Sequence, residues 1–293
     1  MILITGATGT VGGHLVDELV ERGIPARLLV RSRARAAGVE GSGMPLAVGD
    51  LERPETLEGA LDGIERVFLL SAPSPHTARL HANLVDAARR AGVRHVVRLS
   101  AWGARADADL GLLRWHGEAE AHLEASGLAW THLRPASFLQ NLFALAPRVI
   151  AGSEIAAPAG DGAQCYVDAA DVARAAAEVL TGDGHEGAAY TLTGPEALTY
   201  HELAATLTAV VGRPVRYRDQ PADEARRGMV AAGMPEWLAE EMVRLHRKVA
   251  AGRRQQPSPD VERLTGRPPA SFADFAHRNA GVFRGDEATA GAE

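Results

Sequence analysis

Ile2-Leu3-Ile4-Thr5-Gly6-Ala7-Thr8-Gly9-Thr10-Val11-Gly12 is a short apolar run followed by three glycines in the spacing G-x-x-G-x-x-G. The run, residues 2–5, predicts a buried parallel strand. Residues 10–22 then carry apolar side chains at helical spacing, with Val11, Leu15, Leu19 and Val20 on one face and Gly23 as the stop. A glycine turn between a strand and a helix is a phosphate-binding device. Gly6 and Gly9 allow a tight turn and close approach of the backbone to a pyrophosphate, and Gly12 lets the helix pack on the strand. The helix start, Thr10 and Val11, presents free N–H groups and the positive end of the dipole. The hydroxyls of Thr8 and Thr10 add donors. The unit therefore predicts dinucleotide binding.

Outward from this turn, strands predicted at 26–30, 46–48, 66–71, 94–100 and 128–134 alternate with helices at 54–62, 76–91 and 113–126. Strict alternation predicts an α/β fold with a doubly wound parallel Rossmann-type sheet. After about residue 140 the pattern changes. Helix 169–180 and strand 188–193 are expected to return to the sheet. Segments 199–211, 222–232, 235–251 and 271–283 read as helices, and 215–218 as a strand. The expected organisation is a dinucleotide-binding domain over 1–140 plus about 165–195. A smaller, mostly helical C-terminal substrate lobe follows over about 141–164 plus 196–284, with a disordered tail at 285–293.

Ligands of such sheets lie at the C-terminal ends of the strands, so the residues just after each strand are candidates. After the second strand stand Arg31 and Arg33, where NAD-dependent proteins commonly carry an Asp or Glu for the ribose 2′-OH. A guanidinium pairs with a 2′-phosphate that a carboxylate would repel. The pair predicts NADP(H) over NAD(H). Asp50, with Leu51 beside it, is expected at the adenine edge. Ser71, Ala72 and Pro73 are expected along the riboses, and Ser100 joins the cofactor set after the fifth strand.

Composition narrows the function classes. A net charge of −6 with no block of like charge speaks against a nucleic-acid footprint. No apolar run approaches the roughly 20 residues that span a bilayer. The first residues lack the basic segment and long apolar core of a signal peptide. The single cysteine, Cys165, forms no intramolecular disulfide and reads as structural. The expectation is a soluble cytoplasmic protein, monomer or homodimer, whose partner is a small molecule. The histidines show no metal-ligand spacing, so no catalytic metal is expected.

Many reductases with this turn place a Tyr and a Lys four residues apart on the helix after the fifth strand. Here that helix reads Leu113-Arg114-Trp115-His116-Gly117-Glu118-Ala119-Glu120, with Trp115 and Ala119 in those places. Tyr/Lys acid–base chemistry is excluded at that site. The motifs GATGTVG at 6–12, VRSRARA at 30–36, GDL at 49–51 and HGEAEAHLEASGLAWTHLRPASFLQN at 116–141 belong together with three further ones. These are YVDAADVARAAAEVL at 166–180, YTLTGPEALTYHELA at 190–204 and DVERLTGRPPASFADF at 260–275. As a set, and over nearly the whole chain, they resemble the NmrA-like atypical short-chain dehydrogenase/reductases. The most similar branch contains type 2 NAD(P)H:quinone oxidoreductases, triphenylmethane-dye reductases and azoreductases.

The resemblance implies a Rossmann domain with a small C-terminal lobe and a substrate cleft over the nicotinamide. It implies a pyrophosphate turn at Gly6, Thr8, Gly9, Thr10, Val11 and Gly12, a 2′-phosphate contact at Arg31 and an adenine contact at Asp50. It places ribose contacts at Ser71 and Ala72, and a loop beside the nicotinamide at Pro135, Ala136, Ser137 and Phe138. His116, Glu120 and Asn141 match the family pattern H-x-x-x-E … N.

Hydride transfer to a flat, electron-poor acceptor asks mainly for placement and a dry slot. Trp102, Trp115 and Phe138 are candidate aromatic walls. His116 is a candidate proton donor, with the alternative of a structural pairing to Glu120 four residues on. Glu118 and Glu120 read as a solvated helix face. Asn141 is a candidate for orienting nicotinamide or substrate, or simply begins the next helix. The leading reading is an NADPH-dependent reductase of a small organic acceptor: a quinone, a dye, or a natural-product ketone, enone or imine. Two alternatives stay open: an NADP(H)-sensing regulator without turnover, and a protein that uses bound NADP in a redox-neutral step.

Overall fold

Apolar runs that end at glycines become strands, and the amphipathic segments between them become the helices that cover the sheet. In chain order the computed structural model has β1 (Ile2–Ile4), α1 (Thr10–Glu21), β2 (Ala26–Val30), β3 (Leu46–Val48), α2 (Glu58–Leu61), β4 (Arg66–Leu69) and α3 (Thr77–Arg90). Then come β5 (His95–Leu99), α4 (Gly111–Ala125), β6 (Ala129–Pro135), β7 (Ser137–Phe138), α5 (Ala146–Gly152), β8 (Glu154–Ala157), β9 (Gln164–Val167), α6 (Ala169–Thr181) and β10 (Ala188–Leu192). The last elements are β11 (Ala197–Leu198), α7 (Tyr200–Val211), β12 (Arg216–Asp219), α8 (Ala222–Ala231), α9 (Glu236–Ala251), α10 (Asp260–Thr265), α11 (Phe272–Arg278) and α12 (Ala280–Arg284). The structure describes residues 1–252 and 254–286; residues 287–293, most of the expected tail at 285–293, lie outside the described residues.

The chain divides into two compact units. The first takes residues 1–135, 169–192 and 260–267; the second takes 136–168, 193–259 and the described residues from 268 onward. The first unit holds a seven-stranded sheet in the order β10-β6-β5-β4-β1-β2-β3. Every pairing in it is parallel. The chain winds outward from β1 to β3, returns to place β4 on the other side of β1, and winds outward again. The reversal point lies between β1 and β4, where doubly wound sheets open a crevice at the strand C-termini. Leu3, Leu29, Val67, Leu69 and Val96 pack with Leu84, Val85 and Ala88 of α3 and Leu123 of α4. Helix α1 packs on α6.

The second unit has two small sheets, β11-β9-β7 and β12-β8. Its core joins Val149, Ile155, Leu203, Leu207, Phe272, Phe275 and Phe283. The strands β7, β8, β9 and β11 carried no expectation, although the equally short β1, β3 and β12 did. Three boundaries also differ from the sequence reading. The segment read as one helix at 54–62 is a 3-10 turn, Pro54–Thr56, followed by the one-turn α2. The helix expected at 271–283 is two helices, broken at Asn279 (φ −110°, ψ 27°). Residues 260–265, for which the sequence reading gave no element, form α10, which packs on α6 and β10. Among the described residues no helix is long and apolar enough to cross a membrane.

Candidate cofactor and active site

The glycine turn has the geometry that its spacing predicts. Gly6 sits at φ +63°, where a side chain is strained, and a Cβ there would lie 2.9 Å from Leu70 Cγ. A Cβ on Gly12 would lie 2.0 Å from the Gly6 carbonyl oxygen, so only glycine lets α1 approach this closely. The Gly9 N–H donates to that same oxygen at 3.0 Å and closes the turn. Thr5 fastens the strand ends on either side of the reversal point: its Oγ1 donates to Leu70 O at 2.6 Å and accepts from Leu70 N at 2.7 Å. Helix α1 starts at Gly9 with no side-chain cap and no acidic residue in its first turn. Its leading N–H groups are thus left for an anion. Thr8 and Thr10 are exposed, and Val11 is buried against the core.

At the end of β2, Arg31 and Arg33 are exposed, and their guanidinium groups make no ion pair or hydrogen bond among the described residues; the Arg33 carbonyl accepts from Ala36 N at 3.0 Å. Uncommitted guanidinium groups with no carboxylate beside them suit a 2′-phosphate. Asp50 is half-buried; its Oδ1 accepts from Glu52 N at 3.0 Å, and its Oδ2 lies 3.7 Å from Arg53 Nε. Leu51 is held through its carbonyl, which accepts from Asn83 Nδ2 at 2.7 Å. Ala72 and Pro73 are exposed on the loop after β4, and Ser71 is half-buried at its start. These features fit the phosphate, adenosine and ribose parts of an NADP(H) molecule lying across the switch point.

Beyond the turn, the face of the sheet under α3 and α4 changes character along the strands. Toward the strand N-termini it is apolar. Toward the C-termini it carries Arg98 and Ser100 after β5's valines, and His132 and Arg134 on β6, with Arg98 and His132 paired in register. Arg98 is fully buried. Its Nε donates to His81 Nδ1 at 2.9 Å, and its Nη2 donates to His116 Nδ1 at 3.0 Å. His81 Nε2 lies 3.0 Å from Ser71 Oγ. Burial, reinforced by Arg98, holds His81 well below the usual histidine range and His116 down to about 3. Burial also brings the Arg98 pKa down to about 10. Its Nη1 is buried without a partner.

The neighbouring pair is an ion pair. Arg134 Nε and Nη2 donate to the two Glu120 oxygens at 2.9 and 2.7 Å. Burial would raise the Glu120 pKa, but these two donors outweigh it and the carboxyl stays below its usual range. The buried Ser100 hydroxyl lies beside this carboxylate without closing a bond of normal length. His132 stacks on Trp130 with ring centroids 4.6 Å apart and meets Glu124 at 3.2 Å; burial lowers its pKa to about 4. Glu120, Glu124 and His132 each bring one ligand atom within 4.8 Å of the others. Both Glu120 oxygens are already claimed by Arg134, so the set is an ion-pair network.

Two sequence expectations are corrected here. Glu120 is not part of a solvated face with the exposed Glu118; it is buried because α4 turns it inward onto Arg134. His116 does not pair with Glu120; each reaches across to a different arginine on the sheet. A ring that accepts from Arg98 and stays neutral has no spare proton at pH 7. The geometry therefore supports a hydrogen-bond donor at His116 Nε2 in place of the acid considered from sequence. Arg98, His81 and Arg134 were missed. For the two arginines the signal was a charged residue inside each of the apolar runs HVVRL and WTHLR; His81 left none.

The remaining candidates fall as follows. Trp102 is half-buried, and its backbone N–H donates to Pro135 O at 2.9 Å, tying the loop after β5 to the buried end of β6. Trp115 is half-buried on α4. Ala136, Ser137, Phe138 and Asn141 belong to the second unit. There Ala136 is buried, Ser137 Oγ lies 3.4 Å from Gln164 Oε1, Phe138 is half-buried, and Asn141 is exposed on a 3-10 turn. Cys165 is buried, and burial pushes its thiol up to about 11, as suits a structural residue.

Known proteins share this plan. A family described as NAD(P)H-binding matches residues 6–183. The chain is 39% identical over 283 residues to an NAD(P)H azoreductase of Xenophilus azovorans, spanning 97% of this chain and 99% of that protein. The NADPH-dependent quinone oxidoreductase of Escherichia coli, crystallised with NADPH, superposes with a TM-score of 0.86 at 31% identity, over 95% of this chain and 99% of that one. A Citrobacter triphenylmethane reductase complexed with NADP(H) superposes at 0.84 with 29% identity, over 96% and 100% of the two chains.

Proposed function

This chain belongs to the NAD(P)H-binding family of NmrA-like atypical short-chain dehydrogenase/reductases and is an NAD(P)H-dependent oxidoreductase, and from that premise we propose that it is an NADPH-dependent reductase of a small organic acceptor. The observation that carries the NADPH preference is the pair Arg31 and Arg33, exposed and unpaired at the end of β2. In the proposed assignment Gly6, Thr8, Gly9, Thr10, Val11 and Gly12 hold the pyrophosphate, and Arg31 and Arg33 the 2′-phosphate. Asp50 and Leu51 border the adenine. Ser71, Ala72, Pro73, Ser100 and Pro135 to Phe138 line the ribose and nicotinamide end.

When bound, the reduced nicotinamide supplies a hydride. The residues of the chain orient it, exclude water and carry the charge. The acceptor class we favour is a quinone, an azo or triphenylmethane dye, or an activated carbonyl, in keeping with the names of the relatives above. Trp102 and Trp115 are the aromatic surfaces of the first unit proposed for it. The proposed partner is this small molecule alone.

The test mixes the purified protein with NADPH or NADH and a panel of quinones, dyes and activated carbonyls, and follows the nicotinamide absorbance. Faster loss with NADPH is expected; no loss with any acceptor would count against the reading. Arg31→Asp removes a charge-assisted contact worth about 1.5–3 kcal/mol. It is expected to weaken NADPH by about 10- to 100-fold and to move the kcat/KM preference toward NADH. An unchanged preference ratio would remove Arg31 from the site.

A further inference from the structure

The fully buried Arg98 carries an inference that deepens the reductase reading and rests on it. Arginine is an obligate donor, with no lone pair to offer. Its two bonds, to His81 Nδ1 at 2.9 Å and His116 Nδ1 at 3.0 Å, therefore set the tautomer of both rings. Each Nδ1 must be an acceptor, so each proton sits on Nε2. The His81 Nε2–H then donates to Ser71 Oγ at 3.0 Å. This occupies a lone pair of the hydroxyl and leaves its own proton to donate; among the described residues that proton meets only Ala72 O, at 3.2 Å. The second ring is half-buried, and its Nε2–H has no partner among the described residues.

We infer that Arg98 heads a forked, one-way hydrogen-bond relay that presents two side-chain donors, Ser71 O–H and His116 Nε2–H, at the C-terminal end of β4 and β5, and that this site takes an acceptor whose oxygen or nitrogen becomes anionic during reduction. His116 is the catalytic residue of the relay and Arg98 its positioning residue. The charged and titratable groups that act on His116 are Arg98 from β5, His81 from α3 and Glu120 from its own helix. None of these offers a lone pair to Nε2 in the contacts above, so the fork holds no base for an alcohol proton. The two donors suit an acceptor atom that gains negative charge, as in reduction of a carbonyl, quinone or diazene group.

The step balances without a protein acid. The hydride brings its electron pair to the electrophilic carbon or nitrogen of the acceptor. The electrons of the double bond move onto the oxygen or nitrogen facing His116, and that atom later takes a proton from water. The His116 and Ser71 protons stay in place and stabilise the developing charge. A preorganised donor of this kind contributes on the order of 100-fold to kcat.

The test has two arms on the full chain. In the first, 15N-histidine spectra of the cofactor-free protein are followed from pH 5.5 to 8, with His116→Gln assigning its signals. His81 and His116 are expected as Nε2–H tautomers that do not titrate; an Nδ1–H tautomer, or titration near pH 6.5, overturns the relay. In the second, His116→Leu is expected to lower kcat on the order of 100-fold while the NADPH dissociation constant, read by fluorescence titration, changes less than about twofold. His116→Gln, whose amide accepts at one end and donates at the other, is expected to recover about tenfold of that loss. Equal rates in the Leu and Gln variants, or no loss in either, also overturn it. Absence of NADPH oxidation in every form would sink the reductase reading instead, and the tautomer arm would still decide the relay.

Discussion

Gly12→Ala is expected to bind NADPH at least about 100-fold more weakly than the parent protein. The added Cβ would lie 2.0 Å from Gly6 O, 2.7 Å from Gly6 C and 2.8 Å from Ala7 Cα. All three are backbone atoms of the phosphate-binding turn, so no side-chain rotation relieves the clash. Either α1 moves away from β1 or the turn opens, and both displace the N–H groups proposed to hold the pyrophosphate. Losing two hydrogen bonds to a charged group, at about 1.5–3 kcal/mol each, is a change of two or more decades. Gly13→Ala is the control on the same helix: its Cβ would have Ala7 O at 3.8 Å as its nearest contact, an ordinary packing distance. Titration of intrinsic fluorescence with NADPH, alongside thermal melts, separates loss of binding from loss of fold. Binding by Gly12→Ala within about threefold of the parent would remove the turn from the cofactor site.

Acid is expected to unfold the protein well above the pH at which carboxylates titrate. His81, His116 and His132 are held neutral by burial, with Arg98 next to them on the sheet. Unfolded, each takes up a proton near pH 6.5. A histidine whose folded pKa is depressed contributes stability that is complete above about 6.5 and is lost as the pH falls toward the folded value, about 3 for His116 and about 4 for His132. Each such group removes about 1.4 kcal/mol per pH unit in that window, or up to about 4 kcal/mol per unit for the three. Typical domains are stable by only about 5–15 kcal/mol, so the folded state should fail near pH 5. Urea melts at pH 8.5, 7.5, 6.5 and 5.5 check this: the midpoint should be level between the first two and fall steeply between the last two. His132→Phe, which keeps the stack on Trp130, should reduce that slope by about one proton. A midpoint at pH 5.5 equal to that at 7.5 would contradict the account.

The two results differ in how visible they were in the chain. The Gly12 effect follows from local geometry, since a strand, a turn and a helix contiguous in sequence already set the approach of Gly12 to Gly6. The acid effect depends on residues far apart. His81, Arg98, His116 and His132 sit on α3, β5, α4 and β6, and nothing in the spacing of one segment tells where a side chain of another will meet it. Even so, Arg98 left a trace: an arginine in the run HVVRL is a charge inside an apolar strand, and a buried charge must find partners. Glu120 shows the opposite case. On an Ala/Glu-rich helix it reads as solvated, and only the position of Arg134 on β6 turns it inward.

What the sequence determined by itself was everything carried by periodicity and by glycine: the strand–helix alternation, the parallel sheet that alternation requires, the tight glycine turn, and the absence of a carboxylate beside Arg31. These are properties of adjacent residues, governed by backbone sterics and by burial of one face. Tertiary structure alone decided which polar side chains share a buried space. It paired Glu120 with Arg134, made His116 an acceptor from Arg98, and divided residues 136–168 from the sheet they follow. It also assembled β7, β8, β9 and β11, whose pairing partners lie far along the chain. The reason is physical: long-range contacts between polar groups are set by the register of the strands and the placement of the helices over them, and neither is written in any single window of the chain.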